Sequence, residues 1–213
     1  MIKILILLLI IILTTNSQGA FRYEIETPYY PNVPYLAVWY ANSQVGTKES
    51  TGHNDGPVDK YLYSVFGRRN TGYPYCAAGV FWCFKKSGDS LGIPEKYLPV
   101  PKSGLAQHFY TYGVNNGYRT QFFAQKSDIL VWRKGNSYSG HVEIIDSVCQ
   151  AGWVITIGFN TSNGKTGSQR EGNGVFRRRR NLYSPIGNLN VRGILGFKRN
   201  PLNRDVNFPC AFR

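Results

Sequence analysis

Cys76 and His141 are the two residues in this 213-residue sequence best able to do chemistry together. A thiol attacks a carbonyl only as thiolate, so its surroundings must favour the charged form. The stretch Gly72-Tyr73-Pro74-Tyr75 closes a loop, and Cys76 to Lys86 then carries apolar residues at Ala77, Val80, Phe81 and Phe84 before Ser87-Gly88. That spacing predicts a helix opening at Cys76, where unpaired backbone N–H groups and the positive end of the dipole stabilise a thiolate. The dipole contributes about 0.3–1 kcal/mol, whereas a nearby imidazolium shifts an ionisable group by roughly 1 to 3 pKa units. Cys76 therefore needs a histidine. Of the three in the sequence, His53 lies in a polar loop and His108 in an aromatic, structural-looking segment, while His141 opens a β-rich run just after Ser139-Gly140. A thiolate with an imidazole is the equipment for acyl transfer, the imidazole serving first as acid to the leaving amine and then as base to water. The Cys76 backbone N–H is the expected oxyanion donor.

An imidazole needs an orienting partner, and the hairpin around Cys149 offers one. If Cys149–Gly152 form its turn, His141 faces Asn160 and Glu143 faces Gly158. Opposed residues share a face at about 4.5–5.5 Å, so the Asn160 amide can hold the ring.

The elements that must carry these residues come in two groups. Thr27–Pro34 is Pro-rich and reads as extended, because prolines and the residues before them avoid the helix. Helices are expected from Tyr35 to about Val45, from Val58 to Phe66 with Asp59 in the first turn, and from Cys76 to Lys86. Leu91–Gly117 reads as irregular. After that the pattern turns to short β-rich runs at 129–132, 141–148, 153–157 and 191–197. Helices first and strands second predict an α+β fold, with leading helices packed on an antiparallel sheet.

The N-terminus has the grammar of a signal peptide: Lys3, an apolar run from Ile4 to Leu13, then small residues at Ser17, Gly19 and Ala20. The run is short of the roughly 20 residues that span a bilayer. Residues 1–19 are thus expected to be cleaved, giving a secreted or periplasmic protein; an uncleaved anchor on the outer face of the inner membrane is the alternative. Residues 20–34 are expected to form an extended lead-in, 35–200 one catalytic domain and 201–213 a tail. The formal net charge of +13, with a run from Arg177 to Arg180, implies an anionic partner. For an exported protein that means wall polymers rather than nucleic acid. Cys76 and Cys83 fall seven positions apart in one helix, too far to bond each other, which leaves Cys149 with Cys210 as the pair open to a disulfide. No Cys or His spacing resembles a zinc motif, and neither metal nor cofactor is expected.

The segments Asn54-Asp55-Gly56-Pro57-Val58-Asp59-Lys60-Tyr61-Leu62, Gly72-Tyr73-Pro74-Tyr75-Cys76-Ala77-Ala78-Gly79-Val80-Phe81-Trp82-Cys83, Gly140-His141-Val142-Glu143-Ile144-Ile145 and Asn160-Thr161-Ser162 together resemble the CHAP family. These are cysteine- and histidine-dependent amidohydrolases and peptidases related to the NlpC/P60 proteins, with a papain-like fold. The resemblance implies cleavage of amide bonds in peptidoglycan by a monomer, with Cys76 as nucleophile and His141 as base. Family members commonly carry Glu-Gly-Asn-Thr, the acid and asparagine helping to orient the histidine. Here Gly158 stands in place of that acid and Phe159 in place of the glycine, whereas Glu143 fills a position after Gly-His-Val where a small residue is usual. Set against the family pattern, this leaves two readings: the carboxylate has moved to the neighbouring strand as Glu143, with Gly158 leaving room for it, or Glu143 is a solvated strand residue and Asn160 alone completes a Cys-His-Asn set. Tyr73, Tyr75 and Trp132 are candidates to line a sugar-and-peptide groove. The rival reading is a non-catalytic wall-binding protein with a basic glycan-binding surface and a vestigial Cys76.

Overall fold

The computed structural model describes residues 30–197, apart from 31, 70, 119, 121–122 and 165–171. The expected signal segment 1–19, most of the lead-in 20–34, Cys210 and the tail 201–213 lie outside the described residues. Among the described residues there are four α-helices, α1 (Asn32–Ser43), α2 (Asp59–Phe66), α3 (Cys76–Leu91) and α4 (Ala106–Asn115). Five strands follow, β1 (Ile129–Arg133), β2 (Gly140–Val148), β3 (Trp153–Thr161), β4 (Gly174–Asn181) and β5 (Asn190–Leu195). The strands form one antiparallel sheet in the order β4-β3-β2-β1-β5. The fold is the α+β arrangement expected, leading helices on an antiparallel sheet.

Four elements differ from the sequence reading, one of them strand β4, which lies in none of the expected β-rich runs. The segment read as extended through Pro34 is already helical from Asn32, because a proline in the first turn gives up an N–H that would have had no helical partner. Helix α3 does not stop at Ser87-Gly88. The Ser87 hydroxyl donates to the Cys83 carbonyl at 2.9 Å, inside the helix, and the chain turns only at Gly92, whose φ of 68° is left-handed. The stretch read as irregular contains α4, whose aromatic and β-branched residues are poor helix formers but whose Ala106, Gln107, Phe109 and Gly113 are buried on one side.

Alternation along the strands divides the interior in two. Ile129, Val131, Val142, Ile144, Ile157 and Phe159 face the helices, packing with Ala77, Val80, Phe81 and Phe84 of α3. Leu130, Trp132, Ile145, Val154 and Ile194 point to the other face and build a smaller core with Leu182 and Leu189. α3 is the central helix, lying on β2 and β3 with α1 and α2 against it, and α4 covers β1 and β5. At Gly79, α3 lies so near the sheet that a Cβ would stand 2.3 Å from the Phe159 ring.

Ordinary helix propensity favours alanine over glycine by about 1 kcal/mol. The overlap with Phe159 reverses that sign: Gly79→Ala is expected to destabilise by about 1–3 kcal/mol. Urea unfolding should show a lower midpoint at unchanged slope, and a raised midpoint would mean that helix and sheet are not in contact there.

Candidate active site

Cys76 is the first residue of α3, and Tyr75 before it has left helical geometry, with φ −113° and ψ 16°. The first intrahelical bond runs from the Gly79 N–H to the Tyr75 carbonyl at 2.8 Å, so the N–H groups of the turn that begins at Cys76 have no partners within the helix. The thiol is free and 6% exposed. It opens on a cleft of about 640 Å³ lined by Phe66, Tyr73, Pro74, Ser103, Leu105, His108, Tyr138 and, from the start of β2, Ser139 and Gly140.

His141 and Glu143, two residues apart on β2, project to the same side and are fully buried. The His141 Nε2 lies 3.0 Å from Glu143 Oε1. A carboxylate can only accept, so Nε2 carries the hydrogen and Nδ1 is the atom left for Cys76. Nδ1 has no hydrogen-bond partner in the structure, and Cys76 is near enough to act on the ring. Burial opposes a charge on His141, but the interaction with Cys76, the hydrogen bond to Glu143 and the charges of both outweigh it and raise the imidazole to about 9. Burial likewise opposes ionisation of Glu143, yet the charge and hydrogen bonds of Arg180, with those of His141, hold the carboxyl well below its usual range.

Arg180 donates from Nε to Glu143 Oε2 at 2.9 Å and from Nη2 to Oε1 at 2.5 Å, a two-pronged pair inside the protein. The Thr156 hydroxyl donates to Oε2 at 2.5 Å. Arg180 is only 4% exposed, so the run Arg177–Arg180 is not the continuous surface patch that the sequence suggested. It lies on β4, where alternation sends Arg177 and Arg179 outward and turns Arg180 into the second core. The signal was present in the sequence only as period-2 parity, which four identical residues conceal.

Glu143 pairs with Gly158 across the hairpin. A Cβ on residue 158 would stand 2.6 Å from Glu143 Oε1, so a glycine is what lets the carboxylate lie there. The pairing arises differently from the simple turn expected. Val148 pairs with Val154 rather than Trp153, and a bulge between Ile145 and Ser147 absorbs the extra residue before the site. The expected opposition of His141 and Asn160 is absent. At Asn160 the backbone takes φ 53°, a left-handed conformation that asparagine tolerates, and the β3–β4 register shifts there. Asn160 lines a different cavity, beside Glu49 and Ser162, and makes no hydrogen bond to His141.

The three aromatic candidates separate. Tyr73, 45% exposed, lines the Cys76 cleft. Tyr75 and Trp132 are wholly buried and cannot touch a ligand in that cleft. Tyr75 stacks on Tyr61, while the Trp132 ring sits 6.0 Å from the His141 ring and under the Arg180 guanidinium. His108, read as structural, is exposed on the cleft wall, its Nδ1 2.8 Å from the Ser103 hydroxyl. Nothing in its spacing set it beside Cys76, since the helix that carries it was not foreseen. Cys83 is a buried free thiol, pushed up by that burial. Cys149 is disulfide-bonded.

Helices packed on a five-stranded antiparallel sheet make an α+β arrangement consistent with a papain-like fold, and it sets a helix-borne thiol beside a strand-borne imidazole. Residues 68–160, the stretch that holds Cys76, His141, Glu143 and Asn160, match the family model of the CHAP domain, and the resemblance carried by the Cys and Gly-His-Val segments is to that family. The CHAP domain indicates activity of the peptidoglycan-hydrolase type. No curated protein matches the sequence. Among solved structures, "The crystal structure of Ly7917" is 14% identical with a TM-score of 0.43, the alignment covering 76% of this chain and 62% of that one.

The raised imidazole makes a prediction for pH. His141 holds its proton until about pH 9, so if it supplies the proton a leaving amine needs, kcat/KM should fall on its alkaline side near there. Glu143→Gln removes the charge that favours imidazolium, and the alkaline limb should move to lower pH. A limb that stays in place in Glu143→Gln would mean that the carboxylate does not act on the ring.

Proposed function

We propose that this chain is an exported, cysteine-dependent hydrolase that cuts amide bonds in peptidoglycan. The observation that carries the reading is the free Cys76 at a helix start, on an open cleft, next to a buried histidine whose far nitrogen is held by a carboxylate. In this reading the Cys76 thiolate attacks the amide carbonyl carbon, and the oxygen takes up the negative charge against the N–H groups at the start of α3. His141 passes its Nδ1 proton to the leaving nitrogen, which departs as an amine and leaves a thioester on Cys76. Water then adds to the thioester, giving one proton to His141, and the collapse returns the thiolate and releases a carboxylic acid, which loses its remaining proton to solvent. Glu143 keeps Nε2–H engaged throughout. Asn160 shapes the backbone next to the site rather than holding the ring. Tyr73 and His108 offer contacts to substrate.

Export rests on the N-terminal sequence, with its single lysine, short apolar run and small residues before position 20. An exported protein of this charge would meet anionic wall polymers. The exposed cations of β4 are Arg177 and Arg179; Arg177 is engaged by Asp146 and Asn42, and Arg179 lies 4.3 Å over the Trp153 ring. Attachment would therefore draw on basic residues spread over the surface more than on one run.

Cys76→Ser and His141→Ala are each expected to abolish release of fragments from purified peptidoglycan; Cys76→Ser should leave thermal unfolding close to wild type, and His141→Ala should stay folded with a lower midpoint, because it takes a buried partner from Glu143. Mass spectrometry of the wild-type fragments identifies the amide that is cut. Sedimentation with cell walls should persist in Cys76→Ser and weaken as salt rises, because exposed charges are screened beyond about 8 Å at physiological ionic strength. Full hydrolysis by Cys76→Ser would end the nucleophile assignment, whereas a wild type that sediments with walls and releases no fragments would leave the wall-binding reading in its place.

A further inference from the structure

We propose that Arg180 is a positioning residue of this site: it keeps the buried Glu143 ionised and fixed in orientation, so that His141 presents Nδ1 to Cys76. The proposal rests on the reading of Cys76 and His141 as a working pair. It begins with a charge count. With Arg180 in place, the neutral set (thiol, imidazole, carboxylate, guanidinium) and the active set (thiolate, imidazolium, carboxylate, guanidinium) both carry no net charge. Thiol and imidazole can exchange a proton without changing the charge buried around them. Without Arg180 both sets carry a net negative charge in a site from which water is excluded. The cheapest relief is a proton on Glu143. A protonated Glu143 would itself be a donor, free to give its hydrogen to the ring and reverse the tautomer that leaves Nδ1 for Cys76.

Geometry supports the same role. The guanidinium meets both carboxylate oxygens in its planar fork, one of them the oxygen that also holds His141 Nε2. It therefore sets the direction of the carboxylate as well as its charge. The other groups around Glu143 are few. Arg178, also on β4, interacts with it electrostatically and is half-buried; Thr156 on β3 donates a hydroxyl; β1 contributes Leu130 opposite Glu143 and the neighbouring Trp132, neither of them charged; and α3 reaches it through Cys76 and His141. Arg180 is the cation in direct contact with the carboxylate.

The test is the rate at which iodoacetamide alkylates Cys76 across pH in the full chain, followed by mass spectrometry of the Cys76 peptide so that the buried Cys83 does not contribute. In Arg180→Gln the acid limb of this profile, where the thiolate–imidazolium pair forms, should move up by about 1 to 3 pH units. Arg180→Lys keeps the charge but loses the fork, and its limb should move less. In a Glu143→Gln background, Arg180→Gln should move the limb no further. A folded Arg180→Gln whose limb coincides with wild type overturns the proposal. So does a shift of the same size with Glu143→Gln already present, since Arg180 would then act on the thiolate without the carboxylate. Should Arg180→Gln alone not fold, Arg180→Lys and the double variant, which removes both buried charges together, decide the matter. Peptidoglycan cleavage is followed alongside: a wild type that alkylates as described yet cuts no wall refutes the hydrolase reading and leaves the role of Arg180 standing.

Discussion

The interior of this protein holds a carboxylate, and much of the surrounding structure answers that one constraint. An ionised carboxylate cannot be moved out of water alone, because the lost hydration amounts to several kcal/mol even after relaxation. Glu143 is wholly buried, and around it stand a two-pronged arginine, a threonine hydroxyl and an imidazole. Each comes from a different place in the fold: Arg180 from the edge strand β4, Thr156 from β3, His141 from the strand of Glu143 itself. Such a set adds little net stability over a well-packed apolar core, and removing one partner costs about 3–5 kcal/mol. It specifies geometry more than it supplies stability, and the geometry it specifies is that of the imidazole.

Delivering those groups to one point depends on irregularities in a sheet that is otherwise regular. A strict ladder from the Cys149 turn would set residue 143 against a different partner, one place along β3, and a one-residue slip turns side chains to the opposite face. The bulge between Ile145 and Ser147 corrects the count, so that Glu143 meets Gly158 and finds space over its bare Cα. Two residues further on, Asn160 turns left-handed and the ladder breaks off beside His141. Beyond this point the strand starts open on the cleft through Ser139 and Gly140. One irregularity aligns the acid and the other frees the histidine end.

The positions of the candidate residues Cys76 and His141 were more legible than the elements that carry them. The helix start at Cys76 announced itself through the loop residues before it and the apolar stripe after it, and His141 through the Ser139-Gly140 that precede a β-branched run. Both signals are local. Helix α4 was hidden because its aromatic and β-branched composition argues against a helix, and only burial of Ala106, Gln107, Phe109 and Gly113 against the sheet makes it one. Strand β4 was hidden for another reason: a run of arginines reads as solvated charge, and no single-sequence signal says that alternate members will find buried partners. Tyr75 and Trp132 illustrate the same limit, since an aromatic ring beside a reactive residue supports it from the interior as readily as it lines a groove.

In the proposed reading, an exchange across the hairpin would let a departure from the residues usual in CHAP domains leave the chemistry in place. In the pattern that the resemblance implies, an acid lies on the strand that follows the histidine strand, at the position held here by Gly158. Directly opposed residues on one face are about 4.5–5.5 Å apart, so a carboxylate can start from either strand and end near the same imidazole nitrogen. The move has two requirements. The vacated position must be small, which Gly158 meets, and the arriving acid must find a counter-charge on the side from which it now comes. From β2 the carboxylate reaches the second core, beneath the sheet face that the helices leave uncovered, where Arg180 stands over Trp132. Acid, glycine and arginine are thus three parts of one arrangement, and the arginine, most distant in sequence from the reacting thiol, is the part that makes the other two compatible with burial.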